Sequence, residues 1–322
     1  MSKSRRDFVK TAAGMGLAAS LSSAAAAGSI PRRKFGKTGL ELSLMSLGGG
    51  RVGTLLDTKQ ALDTIRRCYD LGVNYFDTAS AGAYGISQLR YGAALADVRD
   101  KIIIGTKTRH RTFAHSELDL NQSLSNMKTD YLDLYQVHNV MHEEDINFIF
   151  GPRGVMEMIE KAKKAGKIRF VGVTGHMNPH VLVKILGMYD FDAVLMPLSI
   201  SDGANRAFSF ERITLPVAVK MGIGVIAMKV TGNAGLLNNR VATVGECLNY
   251  AWSLPISTSI LGCRTVEEVE TDHRLVTTAK KLTPTQMSEF RKKASNADFA
   301  KLEPWKAPPA PALAGVRRYL GD

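Results

Sequence analysis

The chain has 322 residues, of which 45% are hydrophobic and 22% charged, and its formal net charge is +12. This is the composition of an ordinary globular protein, and it excludes a disordered or low-complexity chain. The basic residues are dispersed and no aromatic–basic motif accompanies them, so no nucleic-acid partner is predicted.

The first residues contain the parts of an export signal in the expected order. A stretch around Arg5 and Arg6 resembles the twin-arginine (Tat) motif, and a mildly apolar region and small residues ending at Ala27 follow it. We therefore predict a Tat signal peptide over residues 1–27, a folded domain over residues 28–322 and a protein that is periplasmic or otherwise exported by the Tat machinery. No other segment is apolar enough to span a membrane, so no stable membrane insertion is expected after cleavage.

Alternating residues around Thr38 and Gly39 predict a small hairpin, after which strand-like and helix-like segments alternate. Strands are predicted over residues 44–49, 74–78, 101–106, 132–137, 168–174, 193–198, 224–228 and 258–261, and helices over 58–71, 87–97, 115–127, 153–166, 178–189, 212–222, 243–253 and 265–279. Eight such units predict a single α/β domain, a (β/α)8 TIM barrel of parallel strands with an N-terminal β-hairpin. A doubly wound sheet is the alternative, but the glycines before Arg51 do not lead straight into a helix as its phosphate-binding turn does.

Several boundaries and connections have their own signals. Ser116 is predicted to cap the third helix, Asn178 to begin the fifth and Gly166 to end the fourth. Long loops over residues 109–114, 141–151 and 199–210 are expected to select the substrate. The proline-rich tail is predicted to run extended from about residue 300, either bordering the substrate cleft or loose.

Three predicted strand ends carry reactive side chains. Asp77 follows the second strand, Lys107 the third and His138 the fourth, and Tyr84 lies on the loop beyond Asp77. A lysine ammonium near a phenol favours the phenolate and lowers its pKa, while an aspartate holds the lysine in place. A histidine beside them can orient a carbonyl oxygen. Since no side chain delivers hydride, a nicotinamide cofactor is implied.

These motifs resemble the aldo-keto reductase family over roughly residues 32–275. The matching stretches are FDTA at 76–79, YG at 84–85, IGTK at 104–107, LDLYQVH at 132–138, VGVTGH at 171–176, GLL at 235–237 and ILGCR at 260–264. The resemblance implies a TIM barrel that binds NADP(H), with NAD(H) as the alternative, across its C-terminal face. It also implies a carbonyl or sugar substrate and a catalytic tetrad of Asp77, Tyr84, Lys107 and His138.

The resemblance also implies a set of cofactor contacts, some of which depart from the family pattern. They are Gly50, Arg51, Thr174, Gly175, Met196, Met228, Lys229, Thr231, Gly232, Gly262, Arg264, Glu268 and Asp272. Met196 stands where the family has a glutamine and Met228 where it has the aromatic that stacks on nicotinamide. Thr174 and Gly175 replace the Ser-Asn pair that holds the carboxamide. Arg264, with Lys229, is expected to pair with a 2′-phosphate, which favours NADP(H).

Some features leave other interpretations open. Tyr84 follows Asp77 by seven positions, where the family usually has five, so residues 80–83 are expected to bulge. His176 and His180 have the spacing of metal ligands, but no metal site is predicted because a loop-to-helix entry lies between them. A nucleotide sensor with little turnover is the alternative function. A hydrolase is disfavoured because no second carboxylate ends a strand.

Overall fold

The computed structural model describes residues 28–306. The predicted signal peptide, and the end of the chain from residue 307, lie outside the described residues. In the part that is described, no helix has both the length and the apolar character needed to cross a membrane.

Eight parallel strands close into a barrel, each pairing with its neighbours in chain order and the last with the first. An antiparallel hairpin of β1 (Arg32–Lys34) and β2 (Glu41–Ser43) precedes them. The barrel strands are β3 (Met45–Gly48), β4 (Tyr75–Asp77), β5 (Ile103–Thr108), β6 (Leu132–Val137), β7 (Ile168–Thr174), β8 (Ala193–Pro197), β9 (Gly224–Met228) and β10 (Thr258–Leu261). The predicted (β/α)8 barrel with its hairpin is confirmed, and the closed sheet rules out the doubly wound alternative.

The helices of the barrel wall agree closely with the predicted segments. They are Thr58–Asp70, Ser87–Leu95, Phe113–Met127, Val155–Lys164, Pro179–Leu186, Phe210–Lys220, Val244–Ser253 and Val266–Thr277. Further helices occur at Gly49–Thr54, Ala81–Tyr84, Glu143–Phe150, Ile200–Ala204, Gly235–Asn238, Pro284–Ser295 and Phe299–Leu302, with 3-10 turns at Ala96–Lys101 and Pro304–Lys306.

Several of these further helices correct the sequence-based expectations. Gly49–Thr54 begins directly after β3, although the glycine-rich stretch was not expected to lead into a helix. The supposed loops over 141–151 and 199–210 contain the helices Glu143–Phe150 and Ile200–Ala204. Such short helices depend on tertiary packing more than on local propensity, which is why the sequence pattern did not reveal them.

Two of the three predicted helix boundaries are confirmed. The side chain of Asn178 caps the fifth helix, and Gly166 follows the end of the fourth helix with φ of +73°. The prediction for Ser116 is wrong. Thr112 is the N-cap residue of the third helix, and Ser116 lies inside it and donates a hydrogen bond to the His110 carbonyl at 3.2 Å.

Successive side chains of each strand point to opposite faces of the sheet. Those that point inward form a small cluster inside the barrel, and those that point outward pack between the strands and the helices. Phe35 and Leu42 from the hairpin pack with Tyr75, Ile103 and other inward side chains. Gly224, the first residue of β9, leaves room for this plug, because a Cβ there would lie 2.4 Å from the Phe35 ring. The hairpin therefore closes the N-terminal end of the barrel, and the C-terminal end remains for the site.

The expectation of an extended tail from about residue 300 is wrong for its described part. Residues 299–306 form two short helical turns instead. Lys306 anchors them, with its Nζ donating to Asp202 at 2.6 Å and lying 2.9 Å from Glu303. Both carboxylates are buried, so the segment is docked on the barrel through an ionic network.

Candidate active site at the C-terminal end of the barrel

A buried ion pair forms the base of the site. Asp77 ends β4, and its carboxylate accepts a hydrogen bond from the Lys107 ammonium on β5. The ammonium also donates to the Thr78 carbonyl at 2.8 Å. Burial raises the pKa of Asp77 and lowers that of Lys107, while the charge of each partner opposes the shift of the other. The structure thus brings together the two charged residues predicted at these strand ends.

Tyr84 reaches the same pocket by a route that differs from the predicted bulge. Residues 81–84 form one helical turn, in which the Tyr84 N–H donates to the Ser80 carbonyl at 3.1 Å. The Lys107 Nζ lies 5.0 Å from the centroid of the Tyr84 ring. Gly53 makes this placement possible, because a Cβ there would lie 1.9 Å from the Tyr84 carbonyl oxygen. The helical turn absorbs the extra residues between Asp77 and Tyr84.

The electrostatics of Tyr84 differ from the expectation that Lys107 lowers its pKa. Burial raises the pKa of Tyr84, and the negative charge of Asp77 adds to that shift. The Lys107 ammonium donates a hydrogen bond to Asp77 and lies over the face of the Tyr84 ring. The negative charge of Asp77 therefore offsets the positive charge of Lys107 near the phenol. Tyr84 is therefore a protonated acid at neutral pH, the form that can give a proton to a carbonyl oxygen.

His138 follows β6 and lies beside the imidazole of His176, the last residue of the VGVTGH stretch. The His138 and His176 rings are 5.0 Å apart between centroids and meet edge to face. Burial lowers the pKa of His138 well below its usual range, and His176, Lys107 and Arg111 add to that effect. The Arg111 guanidinium also donates to the His138 carbonyl at 2.7 Å and fixes the loop. His138 is thus a neutral imidazole at neutral pH.

A cleft of about 560 Å³ extends along the ends of β3, β9 and β10. Seven residues predicted to contact the cofactor line it: Arg51, Lys229, Thr231, Gly262, Arg264, Glu268 and Asp272. Arg51 packs against Gly262 in the lining of the cleft, since a Cβ on Gly262 would lie 2.9 Å from its Cγ. Burial raises the pKa of Asp272 to about 6. The cleft presents both cations and carboxylates to a ligand.

Most of the other predicted contacts lie near the barrel mouth. Gly50 borders Tyr84, because a Cβ on it would be 3.8 Å from the ring, and Met228 belongs to the cluster inside the barrel. Gly232 packs close to the C-terminal segment, with its notional Cβ 3.1 Å from the Leu302 carbonyl oxygen. Met196 requires a correction. Strand alternation turns it into the layer between strands and helices, so its side chain does not face the pocket.

The C-terminal segment borders the site as well. The Lys229 Nζ lies 4.8 Å from the centroid of the Trp305 ring, a cation–π contact, and burial lowers the pKa of Lys229 to about 8. A second cavity of about 440 Å³ is lined by Phe299 and Glu303 of this segment together with Met177, among others. The tail was expected either to border the substrate cleft or to be loose, and its described part borders the cleft region.

The residues at the mouth fit a nicotinamide nucleotide. Buried polar atoms of Gln136, Thr174 and His176 have no hydrogen-bond partner among the described residues, as a site for a polar ring substituent requires. The cleft supplies Arg51, Lys229 and Arg264 for the phosphates of an extended ligand. Within residues 28–306, no three His, Cys, Asp or Glu side chains form a metal-binding group.

Sequence reasoning missed several residues that shape the site. The close approach of Tyr84 depends on Gly53, Arg111 anchors the loop at Asn139, and Trp305 packs on Lys229. None of these residues that were missed belongs to the motifs that carried the resemblance. The position of Gly53 in a glycine-rich stretch after the first strand was a usable signal. Trp305 gave none, because only the tertiary fold brings residue 305 to the end of β9.

Comparison with known proteins decides the family. The model of the aldo/keto reductase family matches residues 44–288, which is most of the chain. The chain belongs to the aldo/keto reductase family. This membership places it among oxidoreductases.

Individual members of the family are distant in sequence. The chain is 29% identical over 208 residues to the uncharacterized oxidoreductase YqkF of Bacillus subtilis, covering 61% of this chain and 63% of that protein. It is 30% identical over 214 residues to L-galactose dehydrogenase of Arabidopsis thaliana, covering 62% and 64%. The matched parts therefore span less than two thirds of these relatives.

Among solved structures, this fold is similar to the holo form of aldo-keto reductase AKR11C1 from Bacillus halodurans. The TM-score is 0.70 at 22% sequence identity, and the match covers 83% of this chain and 97% of that one. At this sequence identity, the similarity shows a shared fold alone.

Proposed function

We propose that this aldo/keto reductase is an NADP(H)-dependent oxidoreductase that transfers hydride between nicotinamide and an aldehyde, ketone or sugar carbonyl. The observation that carries the proposal is the convergence of Asp77, Lys107, Tyr84 and His138 on one pocket beside the cleft. Asp77, Lys107 and His138 come from three successive strands and Tyr84 from the helical turn beyond the first of them, as expected of an active site at the C-terminal end of a barrel.

Each residue has a distinct role in that reaction. Bound nicotinamide supplies the hydride. Tyr84, protonated at neutral pH, donates the proton to the carbonyl oxygen, and neutral His138 orients that oxygen. Asp77 holds Lys107 in the charged form beneath the phenol ring, where the ammonium stabilises negative charge as it develops on the phenol oxygen.

A small-molecule carbonyl or sugar substrate fits the mouth of the barrel. The cavity of about 440 Å³ that Met177 borders combines apolar side chains such as Phe208 and Phe299 with polar groups such as Asn205. The similarity to an L-galactose dehydrogenase supports sugars as the first substrates to assay.

Arg264 is proposed to distinguish NADP(H) from NAD(H) through the 2′-phosphate. It is exposed at the rim of the cleft, where its backbone N–H donates to Glu268 at 2.6 Å. Because a charge-assisted bond is lost, we expect Arg264→Ala to raise the Kd for NADPH by about tenfold or more, with little change for NADH. Fluorescence titration measures both constants, and the control is Arg274→Ala, an exposed residue on the helix Val266–Thr277 that follows Arg264. An equal loss for both nucleotides would refute the assignment.

The alternative function is a nucleotide sensor with little or no turnover. Met228, in place of the stacking aromatic, is the feature that favours it, because a thioether holds a ring less rigidly. A single-turnover mixture of the protein, NADPH and an aldehyde separates the two functions. Oxidation of the bound nucleotide supports the reductase, and tight binding without oxidation supports the sensor.

We propose that the protein is exported through the Tat route, on the basis of Arg5, Arg6 and the small residues before Ala27. Because the twin arginines are what the export machinery reads, we expect Arg5→Lys/Arg6→Lys to keep the protein in the cytoplasm. Fractionation of cells that express the tagged full-length chain tests this. Export of the variant at the same level as the unchanged chain would contradict the proposal.

NADPH is scarce outside the cytoplasm, so an exported reductase needs a retained cofactor. We propose that the nucleotide stays bound and is recycled between two substrates.

A further inference from the structure

Cationic side chains surround a second cavity, which we call the basic cavity. It has a volume of about 310 Å³ and lies between the segment that follows the helix Ile200–Ala204 and the helices Phe210–Lys220 and Pro284–Ser295. Its polar lining consists of Arg206, Arg212, Ser288, Arg291, Lys292 and Ser295. None of the described residues that line it is acidic, and none is shared with the cleft along β3, β9 and β10.

Three of the four cations of the basic cavity have no ion-pair partner in the described part of the chain. They are Arg206, Arg212 and Lys292, whereas Arg291 donates to the Glu211 carboxylate at 2.6 Å. Like charges around one cavity raise the electrostatic potential inside it, and a bound anion lowers the energy of all of them. The basic cavity therefore has an excess of positive charge that its described neighbours do not neutralise.

The arginines of the cavity wall are held by hydrogen bonds through their Nε atoms. Arg291 Nε donates to the Tyr250 hydroxyl at 2.8 Å, and that hydroxyl donates to Glu211 at 2.7 Å. Arg212 Nε donates to the Gly203 carbonyl at 3.1 Å. A side chain at position 203 would disrupt this wall, because a Cβ there would lie 2.2 Å from the Tyr250 hydroxyl oxygen. The terminal nitrogens of Arg212 are left to bind a ligand.

The arrangement of the donors suits a phosphate group. A guanidinium presents two parallel N–H groups that match two oxygens of a phosphate, and Arg206 and Arg212 both offer one. Ser288 and Lys292 lie four positions apart on one helix, so they share a face and add a hydroxyl and an ammonium. A doubly charged phosphate monoester can pair with cations from both walls, whereas a carboxylate carries a single charge. The volume is at the lower end of the range for small-molecule sites.

We propose that the basic cavity binds the phosphate group of a small phosphorylated molecule, at a site separate from the cofactor cleft. Arg206 and Arg212 hold the phosphate from one wall, and Lys292 and Ser288 hold it from the other. This site depends neither on the proposed cofactor nor on the proposed reaction.

The experiment titrates the full-length protein with inorganic phosphate and with glucose 6-phosphate by calorimetry, with chloride keeping the ionic strength constant. Arg206→Ala/Lys292→Ala removes two exposed cations of the cavity. We expect it to raise the Kd of both ligands by about tenfold or more, because charge-assisted bonds are lost. Lys220→Ala/Lys293→Ala, which removes two exposed cations outside the cavity lining, should leave both constants unchanged. Arg264→Ala, in the cofactor cleft, should do the same.

Four results would overturn the proposal. The first is the absence of saturable phosphate binding. The second is an equal loss of binding in the two double variants, which would show a response to net charge alone. The third is a loss of binding in Arg264→Ala with none in Arg206→Ala/Lys292→Ala, which would assign the phosphate to the cofactor cleft. The fourth is binding of inorganic phosphate without glucose 6-phosphate, which would leave an adventitious ion only. Binding of glucose 6-phosphate at least as tight as that of inorganic phosphate supports a phosphorylated molecule as the ligand.

Discussion

Tyr84→Phe is expected to lower kcat for carbonyl reduction by about a hundredfold to ten-thousandfold, the usual contribution of a general acid. The phenol is protonated at neutral pH, and of the described groups near it Lys107 is bonded to Asp77 and His138 is neutral, so neither is expected to replace it as the acid. The Kd for NADPH should change little, because phenylalanine keeps the ring. Stopped-flow oxidation of bound NADPH measures the step directly.

The control for this experiment is Tyr69→Phe, which removes a phenol hydroxyl on the helix Thr58–Asp70, outside the pocket. Its kcat should match that of the unchanged protein. A Tyr84→Phe variant that retained more than about a tenth of the rate would exclude Tyr84 as the acid.

Lys107→Met is expected to abolish turnover and to lower the free energy of unfolding by about 3–5 kcal/mol, because it leaves the Asp77 carboxylate buried without its partner. Both side chains of the pair are fully buried. Urea denaturation measures the loss of stability, and single-turnover kinetics measure the loss of activity. Lys59→Met, which breaks an exposed ion pair with Asp63, should leave the free energy of unfolding almost unchanged.

The double variant Asp77→Asn/Lys107→Met separates stability from catalysis. Removing both charges avoids the uncompensated carboxylate, so the double variant should regain part of the lost stability but none of the activity. If Lys107→Met were as stable as the unchanged protein, the buried ion pair would not exist as described. If the double variant turned over normally, neither residue would act in catalysis.

The buried interior explains why Tyr84 and its neighbours differ electrostatically from the sequence-based expectation. The spacing of Asp77, Lys107 and His138 along the strands is readable from the sequence, but the depth of each side chain is not. Desolvation turned out to be the largest effect on the pKa of Tyr84, and it acts against the lowering expected from Lys107. The structure brings Asp77, Lys107 and Tyr84 together, while their protonation could be read only from the structure.

Met196 and Tyr84 show that the sequence also left the direction of a side chain and the local backbone conformation undetermined. Met196 was assigned to the cofactor by its place in a motif, yet a shift of one residue along a strand moves a side chain to the opposite face. Tyr84 was expected on a bulge and lies on a helical turn, because the packing of residues 81–84 against Gly53 decides the local conformation.

The sequence by itself determined the barrel, its hairpin, the order of its strands and the strand ends that carry reactive groups, because hydrophobic periodicity and chain connectivity are local properties. The tertiary structure alone decided which side chains are desolvated, that the helical turns of residues 299–306 dock beside Lys229, and that His176 meets His138. These are contacts between segments far apart in the chain, and they depend on how whole elements pack, which no local pattern encodes.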